Sequence, residues 1–255
     1  MQDSLFRLDD QVALVTGCRR GIGQAMADAL AAAGADVVGI SDSLNPDSSE
    51  VGEAIRRRGR QFSGFRCDLS DRHAVDLVLD KILSRHPVID VLVNNAGIVR
   101  RSPAEEHSDE IWDSVLEVNL SAAFRVSRRI GAAMLARGKG SIISTASVLS
   151  DQGGLNVASY AASKAGLANL TRSLANEWAG RGVRVNAIAP GYVKTEMTAV
   201  LQSDPVRSRQ ILERIPAGRY GSPDDLRGPV VFLASDASRY VHGETLVVDG
   251  GWMGR

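Results

Sequence analysis

Only two cysteines, Cys18 and Cys67, occur among the 255 residues. Their spacing fits neither a disulfide framework nor a thiolate metal site, so no metal is expected. Such scarcity suits a reducing compartment, and a cytoplasmic protein is expected. Net charge is also missing: 30 Lys and Arg balance 30 Asp and Glu. That leaves no basic footprint for nucleic acid and no attraction to an anionic membrane. No run of 18 apolar residues appears, and Met1 to Asp10 carries no apolar signal segment. Internal repeats and low-complexity tracts are absent. With 44% hydrophobic residues, a chain of this length closes a large core without disulfides. No break in composition divides it, so one domain over residues 1–255 is expected.

What is present is an alternation. Val12 to Val15 is a short apolar run, the mark of a buried strand. Thr16-Gly17-Cys18-Arg19-Arg20-Gly21-Ile22-Gly23 follows, and then a helical stretch to Ala33 that stops at Gly34. Strand, glycine turn and helix are the context in which a dinucleotide pyrophosphate sits on a helix N-terminus. Further strands are expected at 36–40, 61–66, 88–93, 141–145, 183–188 and 244–248. Helices are expected at 71–85, 109–137, from Tyr160 to about Gly180, and at 224–235. Strands alternating with helices give an α/β fold, a doubly wound parallel sheet of about seven strands with helices on both faces. Residues 195–220 are charged and weakly periodic, which suits a lid over a site.

Several polar residues fall at the carboxyl ends of these strands, where ligands bind in such sheets. Asp42 stands after the second strand, about where an acid meets an adenosine ribose. Asp68 ends the third strand before Leu69; it is either an adenine contact or a helix cap. Asn94-Asn95-Ala96-Gly97 ends the fourth, and Ser147 follows the fifth. Tyr160 and Lys164 are one helical turn apart, so a phenol and an ammonium share a face. A phenol has a pKa near ~10. Work near pH 7 needs a shift of roughly 3 units, or about 4 kcal/mol. A neighbouring cation lowers that value, and Lys164 is the candidate.

Thr16-Gly17-x-x-x-Gly21-Ile22-Gly23, Asn94-Asn95-Ala96-Gly97, Ser147, Tyr160-x-x-x-Lys164 and Pro190-Gly191 together resemble the short-chain dehydrogenase/reductase family. The likeness runs from Thr16 to Gly251. It implies a Rossmann-like domain and hydride transfer with NAD or NADP. It implies Tyr160 as proton donor or acceptor and Ser147 as holder of the substrate oxygen. Lys164 would bind the nicotinamide ribose, and the Asn119 backbone would hold a relay water. Val193 and Thr195 would contact the carboxamide, with Pro190 and Gly191 leading into them. Gly17, Arg19, Arg20, Gly21, Ile22, Gly23, Asn95, Ala96 and Gly97 would line the rest of the cofactor, with Asp68 and Leu69 at the adenine. Asp42 repels a 2′-phosphate and Arg20 attracts one; NAD is favoured, with NADP possible. The family also implies a dimer or tetramer, and a homotetramer is expected. This agrees with a helix whose leucines 167, 170 and 174 form one face and whose alanines 161, 165, 168 and 175 form another.

Within the family, Gln152-Gly153-Gly154, Arg100-Arg101, Ala189 to Thr198, Arg214 to Arg219 and Gly250-Gly251-Trp252 resemble the branch that oxidises a sugar acid at carbon five. The expected partner is therefore a small sugar acid. Its carboxylate calls for a guanidinium, with Arg101 or Arg214 first and Gln152 nearby. Two alternatives stand: a 3-oxoacyl-carrier-protein reductase or other short-chain alcohol dehydrogenase, and a non-catalytic dinucleotide sensor.

Overall fold

The computed structural model describes residues 4–255. Seven strands form one parallel sheet: β1 (Val12–Thr16), β2 (Asp36–Ser41), β3 (Phe62–Arg66), β4 (Val91–Asn94), β5 (Gly140–Thr145), β6 (Val183–Pro190) and β7 (Thr245–Val248). Their spatial order is β3-β2-β1-β4-β5-β6-β7. The order turns back at β1, which pairs with β2 on one side and β4 on the other. That reversal opens a crevice at the carboxyl ends of β1 and β4.

The helices are α1 (Gly21–Ala32), α2 (Glu50–Arg57), α3 (Arg72–Arg85), α4 (Asp109–Leu116), α5 (Ala122–Arg137), α6 (Ala158–Trp178), α7 (Ala199–Ser203), α8 (Pro205–Arg214) and α9 (Arg227–Ala234). Alternate residues of each strand face opposite layers. Ala13, Val15, Val91, Val93 and Ile143 pack with Met26 and Leu30 of α1 and Val230 and Leu233 of α9. Leu14, Leu92 and Ile142 face the other way, onto Val126 and Ile130 of α5 and Leu174 and Trp178 of α6. A sheet covered on both faces explains why its strands read as continuous apolar runs.

Local chemistry sets the helix starts. Ser49 caps α2, and Asp71, not Asp68, caps α3 by accepting from the Ala74 N–H at 3.0 Å. The helix expected over 109–137 has a π turn at Glu117–Ser121 between α4 and α5. Asn119 lies in it, and π turns gather at functional positions. The stretch expected to be helical from Asp224 begins as a tight turn, Pro223–Leu226, before α9. Among the described residues no helix is long and apolar enough to cross a membrane. Both cysteines are buried, Cys18 inside the glycine turn and Cys67 after β3, and burial pushes each thiol up to about 11.

The alanine face of α6 needs a correction. Ala168 and Ala175 are already buried within the chain, whereas Ala161 and Ala165 are half-open. Ala168 meets Ala146, Ala187 and Ala189 below it. Small side chains there let α6 approach the sheet closely.

Candidate active site

The glycine turn is locked to β4 by side chains at its two ends. Thr16 Oγ1 accepts from the N–H groups of Asn95 at 3.0 Å and Ala96 at 3.1 Å. Asn95 Nδ2 donates to the carbonyls of Thr16 at 3.1 Å and Gly17 at 3.2 Å. Gly17 has φ +66°, in the left-handed region open to glycine. A Cβ on Gly23 would lie 2.2 Å from the Gly17 carbonyl oxygen, so only glycine lets α1 come this close. α1 follows Arg20, which gives it no side-chain cap, and it has no acid in its first turn. Its leading N–H groups are thus left for an anion, and the cradle fits a pyrophosphate.

The other expected cofactor residues follow the carboxyl ends of β1, β2, β3 and β6. The Arg19 N–H donates to Ser41 Oγ at 3.2 Å, tying the turn to the end of β2. Arg20 is exposed and ion-paired with Glu196. Asp42 is exposed; its carboxylate accepts from Ser43 Oγ at 2.7 Å. Asp68 accepts from the N–H and hydroxyl of Ser70, at 2.9 and 2.8 Å, and Leu69 is buried behind it. A Cβ on Gly21 would be 3.6 Å from the Thr195 methyl, so the turn and the Thr195 segment face each other. Ile22 packs partly against the core beside Val193, and Gly191 lies against Asp249 after Pro190 ends β6.

Ser147 leaves β5 and caps the short turn Val148–Ser150, its Oγ accepting from the Leu149 N–H at 3.1 Å. Ser150 Oγ donates to the Lys164 carbonyl at 2.9 Å, fastening this turn to α6. Lys164 is 3% exposed, and Nζ donates to the Thr145 carbonyl at 2.6 Å. Among the described residues that is its one hydrogen-bond partner, so an ammonium with three donors has two to spare. They fit the hydroxyls of a ribose. Nζ lies 5.7 Å from the centre of the Tyr160 ring.

The expectation that Lys164 lowers the Tyr160 pKa is not what governs the phenol here. Burial pushes the phenol up, opposed by a hydrogen bond with Ser147 and by the charge of Arg101. Burial also pulls Lys164 down, from the ordinary 10.5 to about 8. Its ammonium is aimed at a backbone carbonyl rather than at the phenol oxygen.

Asn119 is fully buried, and its side chain has a function that its sequence position did not reveal. Oδ1 accepts from the Ile98 N–H at 2.8 Å, while Nδ2 donates to the Ile98 carbonyl at 2.9 Å and Ser163 Oγ at 3.0 Å. The amide thus joins the segment after β4 to α6. Gly97 sits inside this junction: a Cβ there would be 3.2 Å from Asn119 Oδ1 and 3.5 Å from Lys164 Nζ.

A cavity of about 320 Å³ opens in front of Tyr160 and Ser147. Val148, Leu149, Met197 and Leu201 give it apolar walls, and Arg101 and Arg207 are its charged residues. Among the described residues no carboxylate lines it. Gln152 and Arg214, both expected at the substrate, do not line it. The Arg214 guanidinium stacks on Trp252 at 4.0 Å, and Gln152 Oε1 accepts from Trp252 Nε1 at 2.8 Å and Arg214 Nη2 at 3.4 Å. Both brace the C-terminal segment behind the cavity wall. Arg207 was missed because α8 is too polar for a periodic signal; the Asp204-Pro205 start was the available clue.

A family model described as enoyl-(acyl carrier protein) reductase, of short-chain dehydrogenase type, matches residues 17–253. The chain belongs to the short-chain dehydrogenase/reductase family. It is thus an NAD(P)-dependent oxidoreductase on a Rossmann-like sheet. Among its relatives, the 2-dehydro-3-deoxy-D-gluconate 5-dehydrogenase of Pseudoalteromonas atlantica is 54% identical over 250 residues, 98% of each chain. A Beutenbergia cavernae protein provisionally named NAD(P)-dependent gluconate 5-dehydrogenase, solved with NADP at low occupancy, is 50% identical with TM-score 0.94, covering 98% of this chain and 100% of its own. The gluconate 5-dehydrogenase of Burkholderia cenocepacia, solved with NADP and tartrate, is 38% identical with TM-score 0.94, covering 99% and 98%.

Proposed function

We propose that this protein moves hydride between NAD(P) and carbon five of a six-carbon sugar acid. The observation that carries the reading is the cavity itself: among the described residues it is lined by Ser147 and Tyr160, two guanidinium groups and no carboxylate. Such a charge balance suits an anionic substrate. Bound NAD(P) supplies the hydride acceptor or donor. Tyr160 exchanges the proton at the substrate oxygen, and Ser147 holds that oxygen by a hydrogen bond. Lys164 turns its free donors to the nicotinamide ribose. Arg101, beside the phenol, favours its ionised form and steadies the substrate's negative charge. The helical segment over 195–220 acts as the lid. Between cofactors, Asp42 disfavours a 2′-phosphate, whereas NADP in the two solved relatives weighs against the NAD preference expected from Asp42.

The apolar wall of Leu149, Met197 and Leu201 favours one other substrate class, an acyl thioester. Initial rates on gluconate, 5-ketogluconate, 2-dehydro-3-deoxygluconate, sorbitol and an acetoacetyl thioester separate the readings, each run with both cofactors. Sugar acids are expected to be turned over with the highest kcat/KM. A preference for sorbitol or the thioester would remove the sugar-acid assignment and leave the dehydrogenase chemistry intact.

We also infer a cytoplasmic homotetramer. The open flank of the π turn, α5 and α6 carries Leu120, Phe124 and Gly166, and Phe124 is 39% exposed. Exposed apolar groups set among arginines on two long helices are suited to a second copy of the chain. Ala165→Arg would bring an unpaired charge into that contact. Light scattering is expected to report a tetramer for the wild type and a smaller species for the variant. A wild-type monomer at micromolar concentration would end this part of the reading.

A further inference from the structure

Helix α8 brings a charged side chain to the cavity that no motif marked. Asp204 sets its start, accepting from the N–H groups of Val206 at 2.9 Å and Arg207 at 3.0 Å, with Pro205 in the first turn. Ile211 and Ile215, 1% and 3% exposed, pin the helix against Val148, Tyr220 and Trp252. The Tyr220 hydroxyl donates to Ser208 Oγ at 3.3 Å, a second anchor. Arg207 lies one turn before Ile211 and shares its face. It therefore meets the cavity from a docked helix rather than a free loop.

Arg207 is half-buried, and the one hydrogen-bond partner of its guanidinium among the described residues is Gln210 Oε1 at 3.1 Å. No carboxylate among the described residues pairs with that guanidinium. A guanidinium has five donors. Partly withdrawn from water and given one neutral acceptor, it is prepared for an incoming anion. Arg101 reaches the cavity from another side, on the segment after β4, and is exposed, whereas Arg207 comes from α8 and is half-buried; the Arg101 charge also acts on the Tyr160 phenol. In a sugar acid that reacts at carbon five, the carboxylate lies several bonds from the reacting carbon. The cation at the phenol and the cation at the carboxylate are then different residues.

We propose that Arg207 is a specificity-determining residue that binds the substrate carboxylate as a fork while Ser147 and Tyr160 hold the reacting oxygen. This rests on the sugar-acid reading above. The fork holds ground and transition states alike, so its loss acts on KM more than on kcat.

The test compares wild type, Arg207→Met and Arg207→Lys on a sugar acid and on the primary amide of that acid. Arg207→Met is expected to raise KM for the acid about 10- to 100-fold with kcat within a few-fold. Its KM for the amide should stay near wild type, so discrimination between the two collapses. Arg207→Lys, which keeps charge but not the fork, should fall between. Calorimetric titration of tartrate into the protein–NADP complex adds a readout without turnover, with weaker binding expected for Arg207→Met. Unchanged NADPH binding in each variant reports an intact fold. If the wild type turns over the acid and Arg207→Met keeps its KM, or loses acid and amide equally, this inference fails alone. If the wild type turns over no sugar acid, the functional reading fails and takes this inference with it.

Discussion

Tyr160→Phe is expected to bind cofactor like the wild type and to lose about 10²- to 10⁴-fold in kcat. The change removes one oxygen from a ring that stays packed in place, so the loss isolates proton transfer. Titration of reduced-nicotinamide fluorescence checks binding, and steady-state rates check turnover. A variant that keeps near-wild-type kcat would end the assignment of Tyr160. A dinucleotide sensor would show no such contrast, because it has no turnover to lose. The sign of the pH effect follows from burial, which raises the phenol's pKa. Alcohol oxidation needs the phenolate and should accelerate as pH rises. Ketone reduction needs the protonated phenol and should hold at neutral pH and fall at alkaline pH.

Lys164→Met is expected to abolish useful activity yet make the cofactor-free protein more stable. The ammonium is 3% exposed and has lost its water for one carbonyl partner. Its pKa falls from 10.5 unfolded to about 8 folded, which corresponds to about 3 kcal/mol against the folded state. The penalty is absent above about 10.5, grows as pH falls and is complete below about 8. Methionine removes it and leaves the Thr145 carbonyl without a donor, a cost of about 1–2 kcal/mol. The net gain is about 1–2 kcal/mol at pH 7, or roughly 3–6 °C in Tm. Thermal unfolding at pH 7 and pH 10 tests this, with the gain shrinking at the higher pH. A lower Tm for the variant at pH 7 would show that the lysine's contacts outweigh its desolvation.

The sheet was legible because its central strands are apolar on both faces and run into glycine, asparagine or serine, as β1 does at Gly17, β4 at Asn94 and β5 at Ser147. Helical spacing put Tyr160 and Lys164 on one face, but the pair became legible as a site only beside the glycine turn, Asn94 to Gly97 and Ser147. What escaped were facts set by packing. Asn119 reads as a helix interruption, and only the folded chain brings Ile98 to its amide. Gln152 and Arg214 have the right chemistry for a sugar acid, yet Trp252 engages both. Arg207 has no motif around it and reaches the cavity because Ile211 and Ile215 bury the same helix. The direction of the Tyr160 pKa shift was also out of reach, since spacing reveals a neighbouring charge but not the loss of water.

The two buried thiols have a practical consequence. With each pushed up to about 11 and shielded from solvent, neither supplies an appreciable thiolate at neutral pH. The natural sequence is therefore already a silent background for maleimide chemistry. A cysteine introduced on the outer side of α8 would be its one reactive thiol. A single dye or spin label there could follow the position of that helix without first replacing Cys18, whose neighbours form the glycine turn.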